Sequence, residues 1–156
     1  MATRTIIKRG DALLKKVSRP VKDFNERLWS LLDDMKETLD QAGGVGLAAP
    51  QVAVLRRAVI VLDEEGNPME MVNPSLTAKS QETCGMYEGC LSVPGVRGWV
   101  ERPEKVVVRF QDRFGEEKTL HLEGLQARCV QHEIDHLDGH LYTELTDQFI
   151  RDEELK

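Results

Sequence analysis

His132-Glu133-Ile134-Asp135-His136 places two imidazoles four residues apart with a carboxylate beside the first. On a helix that spacing puts His132 and His136 one turn apart on a single face, so both can reach one ion. Glu133 sits at the edge of that face, within reach of a water at such an ion rather than of the ion itself. Neutral imidazoles bind borderline divalent cations, and a neighbouring carboxylate can take a proton from the water the cation activates. The chemistry suggested is metal-assisted hydrolysis with Glu133 as general acid and base. A solvated helix that happens to carry two histidines is the bland alternative, and other segments must decide.

A catalytic cation of this kind has three protein ligands and an open position. Candidates for the third are Cys84, Cys90, Cys129, His121, His140 and the acids of the tail. Cys129 lies seven residues before His136, about 10 Å along a helix axis, too far for both to share bonds of about 2.0–2.3 Å. It reads better as a small apolar residue lining the site. The longer protease pattern requires a histidine at position 142, where Tyr142 stands. A glutamate from a second downstream helix would have to be Glu153 or Glu154, at a fraying end. Spacing alone leaves Cys90, Cys84 and His121 open.

The elements that must position these groups are legible in part. Residues 1–22 form an extended strap with one short strand, since Pro20 discourages helix before it. Phe24, Leu28, Leu31, Leu32, Met35 and Leu39 make an apolar stripe, which predicts a helix at about 24–42. Asp23 with Glu26 would cap it, and Gly43-Gly44 would stop it. Three glycines fall within residues 43–46, more than one helix cap needs, which suggests a close approach of backbone to ligand. The Lys-Ser/Thr ending of a phosphate loop is missing there. Strands are expected at Arg57–Leu62, Met69–Asn73, Val96–Val100, Lys105–Phe110 and Lys118–Leu122, with a hairpin turn at 112–115. The motif helix should start near Gly124 or Leu125 and close at Gly139. These elements predict an α+β fold: antiparallel β-sheets packed around a central helix that carries the motif, plus an N-terminal helix. Residues 1–156 read as a single catalytic domain.

Composition excludes several classes. Of 156 residues, 21 are basic and 27 acidic, so the formal charge is −6 and a general nucleic-acid binder is not expected. No apolar run approaches the about 20 residues of a membrane helix, and the N-terminal residues lack the apolar region of a signal peptide. Three cysteines are too few for a disulfide scaffold, which points to a reducing cytoplasm.

Three segments taken together carry a resemblance. Gly44-Val45-Gly46-Leu47-Ala48-Ala49-Pro50-Gln51, Glu88-Gly89-Cys90-Leu91-Ser92 and Gln131-His132-Glu133-Ile134-Asp135-His136 resemble, in order and spacing, the signature motifs of peptide deformylases. The resemblance implies removal of the formyl group from N-terminal formyl-methionine of nascent polypeptides, with release of formate. It implies one divalent metal ion, Fe²⁺ as the native ion with Zn²⁺, Ni²⁺ or Co²⁺ able to substitute, bound by Cys90, His132 and His136. It further implies Glu133 as acid and base, Gln51 and the Leu91 backbone N–H as donors to the carbonyl oxygen, and the Gly46 backbone as a guide for the substrate chain. Val45, Leu125 and Cys129 are expected in the methionine pocket, with Glu88 and Arg97 near its rim; Arg128 is expected either as a solvated helix charge or at the rim, in contact with substrate or Glu88. The alternative reading is a zinc endopeptidase of the H-E-x-x-H type. Residues 147–156 form a short acidic tail, unlike the basic C-terminal helix some members use at the ribosome, so ribosome docking by that route is not expected. Sequence is silent on the oligomeric state.

Overall fold

Burial on both faces of one strand organises the molecule. The computed structural model describes residues 2–155, which leaves Met1 and Lys156 of the expected strap and tail outside the described residues. In chain order the elements are α1 (Glu26–Ala42), β1 (Gly46–Ala48), β2 (Ala58–Leu62), β3 (Pro68–Lys79), β4 (Thr83–Cys90), β5 (Val93–Pro103), β6 (Lys105–Gln111), β7 (Glu117–Glu123), α2 (Gly124–Leu137) and β8 (Phe149–Arg151). One antiparallel sheet runs β1-β2-β3-β6-β7 and a smaller one runs β4-β5-β8. β2 shows why the layers form. Ala58 and Ile60 join the α1 core of Leu28, Leu32, Met35 and Leu39, whereas Val59 and Val61 join the α2 core of Ala127, Val130, Ile134 and Leu137. Side chains alternate along a strand, so a continuous apolar run buries both faces. The motif helix is therefore central, flanked by the large sheet on one side and by β5 on another.

Several expectations on extent are corrected. The first helix is capped by Asn25 rather than Asp23; the Asn25 side chain accepts the Leu28 N–H at 3.4 Å. Asn25 has the extended backbone of a cap, and asparagine serves there as well as aspartate. Gly43, with φ 72°, closes the helix as expected. β3 continues past Asn73 to Lys79 because bulges between Val72 and Ser75 and between Leu76 and Ala78 absorb the irregular residues. β5 is longer than Val96–Val100, and β1, β4 and β8 were unforeseen. The strap forms a 3-10 turn at Ala12–Lys15 and a lone bridge from Arg19 to Arg56 in place of a strand. Its backbone also donates from Ile7 to the Gln51 carbonyl and from Arg9 to the Ser92 carbonyl, both at 2.8 Å. The strap thus laces together two segments of the site. Gly139 closes the end of α2 with φ 82°, and a Cβ there would lie 2.5 Å from the Lys15 carbonyl oxygen. Among the described residues no helix is long and apolar enough to cross a membrane.

Candidate active site

α2 presents His132 and His136 one turn apart, their ring centroids 5.0 Å from each other. Cys90 arrives from the end of β4, where the chain turns into β5. One ligand atom from each of Cys90, His132 and His136 lies within 4.8 Å of the other two, and Cys90 Sγ is 3.4 Å from His136 Nε2. The other candidates for a third ligand lie outside this group. Cys84 and His121 are exposed, His140 faces Glu144, and Glu153 and Glu154 face Arg151. Tyr142, where a longer protease motif needs a histidine, is buried and stacks on His132 with centroids 5.9 Å apart.

The donor set fits a divalent transition metal. A sulfur and two imidazole nitrogens converge, and both histidines are buried. Burial and the neighbouring His132 lower the pKa of His136 well below the usual range. His132 Nδ1 lies 3.0 Å from Glu88 Oε1, which turns its Nε2 toward the group.

Glu88 itself was expected at a pocket rim and is instead buried. It accepts from Arg102 Nε at 2.5 Å and Nη2 at 3.0 Å, and from Arg128 Nη1 at 2.5 Å. Burial by itself would raise the Glu88 pKa, but the bonds from His132 and Arg102 outweigh it and hold the carboxyl at about 2. Arg128 is likewise buried rather than at the rim; it donates to Glu88, to the Val100 carbonyl and to the Cys84 carbonyl. The physical reason is the same for both residues: an ion this far from water persists only with its hydrogen bonds and countercharge satisfied. The other amino group of Arg102 reaches Asp135 at 3.0 Å. No local signal in the sequence pairs Arg102 with Glu88, fourteen residues away.

Glu133 is buried beside the group, with Oε1 lacking a protein partner. Desolvation raises its pKa to about 7; the Glu88 charge adds to this and His132 opposes it. A carboxylate that holds and releases a proton near neutral pH is suited to general acid–base work. Gly46 is explained by this neighbour, because a Cβ there would lie 2.5 Å from Glu133 Oε2. Of the three clustered glycines, then, Gly43 serves the helix cap and Gly46 the approach to Glu133. Gln51 is buried on a 3-10 turn; its Oε1 accepts the Ala48 N–H at 3.0 Å, and its Nε2 donates to Ser92 Oγ at 3.1 Å and faces Cys90 Sγ at 3.6 Å. Leu91 follows Cys90 in the β4–β5 turn, its side chain against Gly44.

A groove of about 610 Å³ opens onto these residues. Val45, Leu125, Cys129, Arg97, Arg128 and Glu88 all line it, together with Asp152. Val45 and Leu125 are exposed in its walls, and burial pushes the Cys129 thiol up to about 12, so Cys129 behaves as an apolar lining residue. Arg97 is half-exposed and lies 3.4 Å from Asp152, which the pairing of β8 with β5 brings to the groove.

The family model for polypeptide deformylase matches residues 3–151. The chain belongs to the polypeptide deformylase family. A peptide deformylase of Caldicellulosiruptor bescii is 52% identical over all of this chain and 93% of its own length, and one of Acetivibrio thermocellus is 48% identical over 100% and 91%. The solved structure of a class I type b peptide deformylase from Acinetobacter baumannii superposes with a TM-score of 0.90 at 43% identity, covering 92% of this chain and 99% of that one. That of Thermotoga maritima gives 0.91 at 37% identity, covering 94% and 99%. This deformylase is a metal-dependent hydrolase that removes the formyl group from N-terminal formyl-methionine of nascent polypeptides, and the endopeptidase reading of its motif gives way.

Proposed function

We propose that residues 1–156 work as one catalytic domain in which Cys90, His132 and His136 hold one divalent cation, Fe²⁺ in the cell, with Zn²⁺, Ni²⁺ and Co²⁺ as possible substitutes. When bound, the cation supplies Lewis acidity, polarising the formyl carbonyl and making water a competent nucleophile near neutral pH. Glu133 accepts the proton of the attacking water and delivers it to the departing amine. The Gln51 Nε2 and the Leu91 N–H donate to the oxygen on which charge develops; Gln51 enters this role already oriented by its bonds to Ala48 and Ser92. The backbone at Gly46, on the edge strand β1, holds the substrate chain extended. Val45, Leu125 and Cys129 receive the methionine side chain, Arg97 stands at the outer wall, and Glu88 and Arg128 back the inner one. The substrates are N-formyl-methionyl nascent peptides in the cytoplasm. Ribosome docking through the tail is not part of this reading, because residues 147–156 are net acidic.

The observation that supports the reading is the convergence of Cys90 from one element with His132 and His136 from another, beside a carboxyl with a pKa of about 7. The test is formate release from a formyl-Met peptide by anaerobically loaded protein, beside Glu133→Ala at equal metal content. The variant should lose about 10²–10⁴-fold in rate. Equal rates would sink the acid–base assignment.

A further inference from the structure

Arg128 has more contacts than a pocket wall requires. Its side chain is 7% exposed, and Nη1 meets both Glu88 Oε2, at 2.5 Å, and the Val100 carbonyl, at 3.0 Å, while Nη2 meets the Cys84 carbonyl at 2.5 Å. Arg128, His132 and His136 follow one another at four-residue steps on α2, so they line one face of the helix. Glu88 is gripped from that face twice: Arg128 takes Oε2 and His132 takes Oε1. With Arg102 spanning both oxygens, the carboxylate has four donors, about its full capacity. Cys90 is two residues further along the same strand, about 6–7 Å at the usual strand rise.

We infer that Arg128 is a positioning residue: by clamping Glu88 onto α2 one turn before His132, it sets the separation of β4 from α2 and with it the distance from Cys90 to the histidine pair. Arg102, borne on β5 beside β4, holds the carboxylate from the hairpin and reaches α2 only through Asp135, whereas Arg128 and His132 tie the carboxylate itself to the helix. Without Arg128, His132 is the one direct contact between α2 and the carboxylate, and a single contact lets the β4–β5 hairpin tilt against the helix. Two contacts from successive turns of one helix, one on each oxygen, remove that tilt. The inference rests on the proposed ligand set.

The probe is Co²⁺ alone, its release to an excess of chelator followed by the near-ultraviolet sulfur-to-cobalt band. Arg128→Met should release Co²⁺ about 10-fold faster than the wild type and weaken that band, the scale usual for residues that orient metal ligands. A double-mutant cycle separates action through Glu88 from simple anchoring of the hairpin at Cys84 and Val100. In a Glu88→Gln background, Arg128→Met should add no more than about 2-fold. A further full 10-fold there, or wild-type release and band in the single variant, overturns the inference. If Arg128→Met does not fold, Arg128→Lys carries the test: a point donor replaces the fork, release should be intermediate, and wild-type behaviour counts against the clamp. Cys90→Ser serves as the companion. If it keeps Co²⁺ as firmly as the wild type, the ligand reading itself fails; if it loses Co²⁺ while Arg128→Met does not, only the role of Arg128 fails.

Discussion

Glu88 and Glu70 are both glutamates held by an arginine fork, yet they sit in different surroundings. Glu70, on β3, accepts Arg113 Nε at 2.9 Å and Nη2 on its other oxygen, with Lys36 Nζ at 2.5 Å and Asp33 sharing the same arginine at 2.7 Å. Those partners come from α1 and from the β6–β7 turn, so the cluster fastens the helix to the sheet; none of its members lines the groove. It is also wetter, with side-chain exposures of 13–35% against 4–10% for Glu88, Arg102, Arg128 and His132. The same ionic chemistry is thus a fastener in one place and a support for a metal ligand in the other. What separates them is the donor of the last contact: a lysine at Glu70, an imidazole at Glu88. Water separates them energetically, because a half-exposed pair is screened and worth little, whereas a buried one is costly to break.

The sharpest way to break the comparison is Glu88→Ala. It leaves two buried guanidinium groups without their carboxylate, so unfolding in denaturant should show a loss of about 3–5 kcal/mol. Formate release should fall about 10–100-fold in the metal-loaded protein, since His132 loses its orienting partner. A stability loss below about 1 kcal/mol would put the two clusters in one class.

A pH series on Glu88→Gln comes next in size. The folded-state pKa of Glu88 is depressed from 4.5 to about 2, so its ionised form favours the fold. That contribution is complete above pH 4.5 and is lost as pH falls through about 2. The difference in unfolding free energy between wild type and Glu88→Gln should therefore narrow steadily below pH 4.5. A constant gap from pH 6 to 2.5 would contradict the carboxylate as the stabilising form. Smallest of the three is Arg113→Ala, expected to cost about 1 kcal/mol in the same denaturant assay. Formate release should stay within about 2-fold of wild type, because the cluster supports no ligand. A large loss of activity there would show that α1 and the site are coupled more tightly than the contacts indicate.

Legibility followed the range of each interaction. The apolar stripe of α1, the buried run of β2 and the two histidines of α2 were readable because their partners recur within one turn or one strand. β4 escaped notice, since Thr83–Glu88 carries no alternating apolar pattern and gains its order from β5 across the hairpin. β8 escaped for a similar reason: Phe149–Arg151 become a strand only by pairing with Val96–Gly98, about fifty residues earlier in the chain. Glu88 was recognised as part of a motif and then misplaced at the rim, because its partners Arg102, Arg128 and His132 lie 14, 40 and 44 residues away. Arg128 reads from sequence either as a solvated helix charge or as a rim residue contacting substrate or Glu88; the contact with Glu88 is present, but in a buried setting that no local pattern announces.

By itself the sequence determined the pair of imidazoles and the neighbouring carboxylate, because helix geometry converts a spacing of four residues directly into a shared face. It also determined family membership, through three motifs in a constant order. Spacing left Cys90 open beside Cys84 and His121, and the motif resemblance favoured it; the tertiary structure brings Cys90 to the histidine pair and alone shows that Gly46 yields its side-chain space to Glu133. The physical reason is that the distance between a strand and a helix is fixed by packing and by buried ionic contacts between remote residues, none of which leaves a local periodicity to read.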